Sequence, residues 1–448
     1  MAISTERIIF LCKERKLVKI FLYKEKKLSK IFLCKEKSVP LQIKIQTIKR
    51  MQTLVDAYNR SINEVSDNFI RYLYGTIDWK ERLIGIKGSR GVGKTTMLLQ
   101  HIKRTFPERS QAFYVSLDNM WFCSHTLTEL VEYLYTHGVT HLFLDEVHRY
   151  PQWVREIKNI YDSYPKLHIV FTGSSLLEID NAQADLSRRM RMYHLYGLSF
   201  REYLELKGVA TLPILRFEEI LKGHVQQAAE ITSKVTVLPY FEQYLRCGYY
   251  PFFVETTSPE SYQERLQRVI STIIENDIPA VEKVEYETLL KVKRLLMLLS
   301  QMVPFTLNVT SLCEKTSVTR NQLIRLLTLL ERASLIRQLR TDSKGMKSLG
   351  KPDKILFDNP NVMQALSSNA EIGTIRETFF AMSIAFAHQI QQPKQGDLLV
   401  DNTYLFEVGG KDKGFAQIRN IENSFVAADS IEVGFGNKIP LWIFGFLY

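Results

Sequence analysis
Residues 88–95 read Gly-Ser-Arg-Gly-Val-Gly-Lys-Thr, which sets three glycines, a lysine and a hydroxyl at the spacing of a phosphate-gripping loop. Gly88, Gly91 and Gly93 let the backbone turn tightly enough to aim successive amide N–H groups, those of Arg90 and Val92 among them, at phosphate oxygens. The N-terminus of a following helix, entered at Thr96, adds roughly half a unit of positive charge. Lys94 would bridge the β- and γ-phosphates of a nucleotide, and the Thr95 hydroxyl would ligate Mg²⁺. Hydrolysis needs a second part, an acidic residue at the end of a buried strand.

His141-Leu-Phe-Leu-Asp145-Glu146 supplies that part. Asp145 is the candidate metal-side carboxylate, and Glu146 the candidate general base for an attacking water. Two adjacent carboxylates on an apolar run are costly to bury without such work. Further along, Thr172-Gly-Ser174-Ser follows another apolar run. A polar residue there would lie beside the γ-phosphate, with Ser174 the first choice and Thr172 the second. Arg188 and Arg189 are candidates for a guanidinium that neutralises charge on the γ-phosphate, from the same or a neighbouring subunit.

These residues must be held by elements. Leu83-Ile-Gly-Ile-Lys87, Ala112 to Leu117, Leu142 to Leu144 and Leu167 to Phe171 read as short buried strands, alternating with helical stretches such as Thr96 to Ile102. That alternation predicts an α/β fold with a parallel sheet and crossover helices. The chain here resembles the prokaryotic AAA-type ATPases that carry a C-terminal domain of unknown function. The resemblance rests on G-S-R-G-V-G-K-T-T at 88–96, F-L-D-E-V-H-R-Y-P-Q-W at 143–153, F-T-G-S-S at 171–175, D-L-S-R-R at 185–189 and G-L-S-F-R-E-Y at 197–203. I-R-E-T-F-F at 375–380 and F-E-V-G-G-K at 406–411 extend it to the C-terminal part. It implies a P-loop core of the ASCE type, with a glutamate beside the Walker B aspartate, and a final domain similar to the restriction-endonuclease-like fold.

The formal charge of +11 invites a nucleic-acid reading, but most of it is local. Residues 1–50 carry 14 basic and 4 acidic side chains, which leaves a net of only +1 for the remainder. This stretch repeats Ile-Phe-Leu-Cys/Tyr-Lys-Glu from Ile9, Ile20 and Ile31, with no clean apolar stripe on a helical wheel. It is expected to be a poorly ordered extension, dispensable for nucleotide binding. Apolar stretches fall short of the roughly 18–20 residues of a membrane span, and lysines interrupt any secretory h-region. The five cysteines are odd in number, far apart and in no CxxC pairing, which suggests a reducing cytoplasm rather than a disulfide framework or a zinc site.

The expected organisation is an ATPase core over 51–205, a helical lid over 206–302, a winged helix over 303–352 and an α+β, nuclease-like domain over 353–448. Aromatic residues at 240–253, among them Tyr244 and Tyr249, read as packing. Thr319 and Gln322 fit a capping box for a helix with Leu323, Leu326, Leu327 and Leu330 on one face. Residues 315–354 hold 10 basic and 3 acidic side chains, and Arg320 and Arg325 suit DNA phosphates. In the last domain, Asp397, Glu407 and Glu377 are the candidates for a second metal site. A three-residue connection at 401–403 would pair Asp397 with Glu407 on one face, whereas a two-residue turn would separate them. Gly409 stands two residues after Glu407, and the nearest lysine is Lys411, which weakens a cleavage reading. The function expected is a Mg²⁺-dependent ATPase acting as motor or switch, with ATP as ligand, DNA as a candidate partner through 315–354, and a protein partner through the C-terminal domain. The alternatives are a nucleotide-gated scaffold with slow hydrolysis and a metal-dependent nuclease.

Overall fold
The computed structural model describes residues 41–173, 186, 188–281, 284–301, 309–341, 352–367 and 369–448. The chain divides into two units, Met1–Thr53 and Leu54–Tyr448. Helix Leu41–Glu64 begins in the first, and everything below concerns the second.

The N-terminal sheet contains β1 (Leu83–Lys87), β2 (Ala112–Ser116), β3 (His141–Asp145), β4 (His168–Gly173) and β5 (Arg191–His194). All pairings are parallel, in the order β2-β3-β4-β1-β5. Parallel strands are covered on both faces and so read as unbroken apolar runs. Leu83 to Ile86, Leu142 to Leu144 and Ile169 to Phe171 are all buried. Gly85 is small because a Cβ there would meet Met192 Cε at 2.6 Å and Phe171 Cζ at 2.8 Å. Helices Lys94–Thr105 and Trp153–Ser163 bury the side of each wheel that carries Met97, Leu98 and Ile102, and Trp153, Ile157 and Ile160. Each such large apolar side chain contributes about 1.5–3 kcal/mol relative to exposure. Strand β5 is an addition to the sequence reading: its Arg-Met-Tyr-His run is only partly buried, so it lacks the apolar signal of the others.

Because β4 lies between β1 and β3, the C-terminal ends of these strands bring Lys87, Asp145 and Gly173 to one edge of the sheet. Open parallel sheets bind ligands outside that edge.

Between β5 and Gln301 the regular elements among the described residues are helices. Helix Pro259–Thr272 runs into a widened turn at Ile273–Asp277, in which Ile278 N–H bonds to Ile273 O. Pro279 explains it: proline lacks an N–H and clashes with the carbonyl four residues back, so the helix inserts a residue instead of keeping register. Helices Val309–Thr316 and Arg320–Arg332 follow, the second opened by the Thr319–Gln322 capping box, with Leu323, Leu326, Leu327 and Leu330 buried. Strands β6 (Ile336–Leu339) and β7 (Lys354–Phe357) pair antiparallel after them.

The last sheet contains β8 (Ile390–Gln391), β9 (Leu398–Val400), β10 (Tyr404–Gly409), β11 (Ser424–Ala428) and β12 (Lys438–Pro440), in the order β12-β11-β10-β9-β8. It is mixed, antiparallel across β8, β9 and β10 and parallel across β10, β11 and β12. Tyr404 pairs with Val400, so the connection is the three-residue one, and Asp401 and Asn402 turn it with φ of +48° and +55°. Residues Leu441–Phe446 are wholly buried. Ser199 Oγ and Arg201 Nε donate to Tyr448 O at 2.6 and 3.0 Å, joining this segment to the end of the first sheet.

Candidate functional site
Strand β1 delivers the chain to Gly88 and helix Lys94–Thr105 takes it away, so residues 88–93 fold over the first helical turn. A Cβ on Gly88 would lie 2.2 Å from Leu195 O, and Gly91 and Gly93 adopt φ of +87° and +96°. Only glycine takes those conformations without strain. Lys94 is buried, and its Nζ donates to the carbonyls of Gly88 at 2.7 Å and Ser89 at 2.9 Å. Burial pushes its ammonium below the usual lysine range, against the opposing pull of Glu146 and Asp145.

Asp145 ends β3 and is 2% exposed. Its Oδ2 accepts from Thr95 Oγ1 at 2.5 Å and Tyr114 OH at 3.0 Å. Its Oδ1 accepts from Thr172 Oγ1 and from Glu146 N at 3.2 Å. Burial, with the charge of Glu146 beside it, still raises the carboxyl above its ordinary range despite the hydrogen bonds from Thr172 and Thr95. A cation would offset that penalty, and the donors at hand are hard oxygens of the kind Mg²⁺ takes.

Glu146 sits at φ +52°, a left-handed conformation rare for a side-chain-bearing residue and frequent at functional positions. The one-turn 3₁₀ segment Val147–Arg149 follows, and His148 Nε2 lies 3.4 Å from Glu146 Oε2. Gly91, Gly93, Lys94, Thr95, Thr96 and Glu146 line a cavity of about 760 Å³ together with Ser66, Asn68, Phe69, Phe252 and Arg265. Its volume falls within the range of small-molecule sites. Of the loop candidates, Gly88, Arg90 and Val92 do not line the cavity, whereas Gly91, Gly93, Lys94, Thr95 and Thr96 line it with Glu146, and Asp145 joins them through Thr95.

Others do not. Arg189 binds Asp162 through Nε at 3.1 Å and Nη2 at 3.2 Å, Arg188 is exposed, and neither lines the cavity. Thr172, the second choice on β4, is fully buried against Asp145, while Ser174 lies outside the described residues.

Several members of the site escape sequence reasoning. Tyr114 reads as one more aromatic of a buried strand, yet its hydroxyl reaches Asp145. Arg71 is 5% exposed, lines the same cavity, pairs with Glu202 at 3.1 Å, and donates from Nη1 to Val92 O at 2.5 Å, bracing the loop. Only the charge of Glu202 within G-L-S-F-R-E-Y hinted at a partner for it. Asp277, in the widened turn, accepts from Arg149 Nη2 at 2.9 Å and Arg90 Nη2 at 3.5 Å.

In the C-terminal sheet the register seats Asp397 opposite Glu407, and Val408 N donates to Asp397 Oδ2 at 2.8 Å. Lysines occupy the group: Lys413 Nζ is 2.5 Å from Glu407 Oε2 and 3.9 Å from Asp397 Oδ2, and Lys354 Nζ is 2.6 Å from Glu377 Oε2. Burial raises Glu407 and Glu377, so the lysines balance charge that the interior opposes. It is Lys413, not Lys411, that reaches Glu407. Among the described residues no three or more His, Cys, Asp or Glu side chains are spaced to hold a metal ion, so the triad Glu377, Asp397 and Glu407 is not arranged as a metal site.

Residues 80–204 match the AAA domain family, and residues 238–371 match a domain of unknown function, DUF8612. An uncharacterised protein of Methanocaldococcus jannaschii is 30% identical over 291 residues, covering 62% of this chain and 61% of its own length. A second from the same organism is 22% identical over 197 residues, covering 43% of this chain and 41% of that protein. The chain thus spans about three-fifths and about two-fifths of these two relatives. Among solved structures, it is similar to the Walker-type ATPase of Pyrococcus abyssi, 12% identical, over 64% of this chain and 91% of that one at a TM-score of 0.37. The ORC1 protein of Aeropyrum pernix, solved in complex with DNA, is 12% identical, over 66% and 89%, at 0.31. The chain carries an AAA-type, P-loop α/β domain. Among the described residues no helix is long and apolar enough to cross a membrane.

Proposed function
We propose that the chain binds ATP with Mg²⁺ in the cavity over residues 88–96 and hydrolyses it. The observation that carries this reading is the convergence of Lys94, Thr95 and Glu146 on one cavity, with Asp145 hydrogen-bonded to Thr95. The loop amides and the helix N-terminus grip the phosphates. Lys94 exchanges its bonds to Gly88 and Ser89 carbonyls for phosphate oxygens, a shift of partner that leaves its buried charge paired. Thr95 and Asp145 would hold the cation, which supplies charge neutralisation on the phosphates. Because the Thr95 O–H points at Asp145, its lone pairs are left facing outward for such a ligand. Glu146 accepts the proton of the attacking water, and Thr172 fixes Asp145 rather than the water.

The reading of residues 303–352 as a winged helix draws support from the capped helix Arg320–Arg332 and the antiparallel β6–β7 pair after it. Arg320 and Arg325 are exposed on that helix and suit a phosphate backbone. ATP turnover of the wild type and of Glu146→Gln, each with and without duplex DNA, tests both parts. The expected result is turnover in the wild type, a loss of at least about 100-fold in the variant with binding kept, and stimulation by DNA that fades as salt rises. Undiminished turnover in Glu146→Gln removes Glu146 as base, and indifference to DNA removes the DNA partner.

A further inference from the structure
Asp277 belongs to the segment matched by the domain of unknown function, whereas Arg90, Glu146, His148 and Arg149 belong to the segment matched by the AAA domain. The two meet in one charge cluster around the buried Asp277. Asp277 is 2% exposed and lies 2.9 Å from Arg149 Nη2, 3.5 Å from Arg90 Nη2 and 3.8 Å from His148 Nε2. His148 is in turn 3.4 Å from the Glu146 carboxylate. One carboxylate from the helical region therefore anchors a cation of the phosphate loop and the two side chains that follow the candidate base.

The backbone aims Asp277 there for a reason visible in the sequence. The widened turn enforced by Pro279 shifts residue 277 around the helix relative to a regular register, and such turns are rare and concentrated at functional positions. A carboxylate so buried is costly unless its partners repay it, and those partners are all in the ATPase half. Burial alone would raise the carboxyl, but the His148 contact and the Arg90 and Arg149 charges hold it below its ordinary range. The cluster is also loose on one side. Asp277 Oδ2 and Arg90 Nε are buried without hydrogen-bond partners among the described residues, and the Arg90 contact is at the long limit. A donor and an acceptor left over on two residues already in contact can close into a second hydrogen bond as the loop takes up its ligand.

Resting on the proposed ATPase reading, we propose that Asp277 is a positioning residue for ATP hydrolysis: it holds Arg90, Arg149 and His148 around Glu146, so that the ATPase site is completed in cis by the helical region. The same turn ties outward to the next helix, since Glu275 pairs with Lys293 on helix Tyr286–Gln301.

The test is steady-state ATP turnover by full-length wild type, Asp277→Asn and Arg149→Gln, with Mg–ATP affinity and melting temperature measured on the same preparations. A positioning role lowers kcat at least about tenfold in Asp277→Asn, with KM and affinity kept within about threefold, because the phosphate grip is untouched. Arg149→Gln, altered at the half-buried rim of the cluster, reproduces part of that fall, and combining the two costs less than the product of the single effects. Wild-type kcat in a folded Asp277→Asn overturns the proposal. Should that variant fail to fold, wild-type kcat in a normally melting Arg149→Gln overturns it equally. Absence of turnover in the wild type sinks the ATPase reading and this inference with it, whereas wild-type turnover with unaltered variants sinks the inference alone.

Discussion
At the scale of single residues, the candidate site keeps its buried charges satisfied by neighbouring groups. Lys94 rests on two loop carbonyls, Asp145 on four donors, and Arg71 on Glu202 and the carbonyls of Val92, Tyr196 and Gly197. Arg71 is the member whose loss is easiest to read, because removing one partner of a buried pair strands the other. Arg71→Met is expected to destabilise the fold by about 3–5 kcal/mol in urea titrations, with Arg71→Met/Glu202→Leu recovering much of it. A loss under about 1 kcal/mol in the single variant would mean that the pair does not brace the loop. What was legible at this scale was whatever a short motif concentrates: Lys94, Thr95, Asp145 and Glu146 fall within two runs. Tyr114, Arg71, His148 and Asp277 were not, since a tyrosine in a buried strand or an aspartate in a helix carries no local mark of the partner that folding brings from 30 to about 130 residues away.

At the scale of elements, apolar runs and caps were readable and partial burial was not. Strands β1 to β4 show in the sequence because parallel strands are buried on both faces; β5, half-buried, does not. The helix Lys94–Thr105 presses His101 flat against Trp79, with ring centroids 3.7 Å apart, and His101 is only 6% exposed. Burial, with a smaller contribution from His141, depresses its pKa from 6.5 to about 4. The folded protein keeps this ring neutral while the unfolded chain takes up a proton below about 6.5, so the unfolded state binds more protons in that window. Stability is therefore fully present above pH 6.5 and falls as pH drops toward 4, by an amount on the order of 3 kcal/mol from His101 alone. Urea midpoints across this range are expected to fall less steeply in His101→Phe; an unchanged slope would show that the ring is protonated in the native state. In the C-terminal sheet, the turn at 401–403 decided what periodicity left open, and Lys413 arrived from a loop whose path no spacing foretold.

At the scale of the whole molecule, the AAA-type domain and the segments after it are joined at the candidate site itself. Asp277 reaches the phosphate loop from one side, while Ser199 and Arg201, beside the Glu202 that holds Arg71, bind Tyr448 on the other. A sequence read run by run suggests a string of modules, and these long-range bonds are why the order of modules alone does not describe how they work together. The proposed function rests on occupancy of the loop by nucleotide. Everything depends on that occupancy, which a calorimetric titration of Mg–ATP into the wild-type protein and into Lys94→Ala measures most directly. Saturable heat at one site per chain in the wild type, abolished in Lys94→Ala while its melting temperature stays normal, is the expected result. No heat in the wild type, or the same binding curve in both proteins, would contradict it.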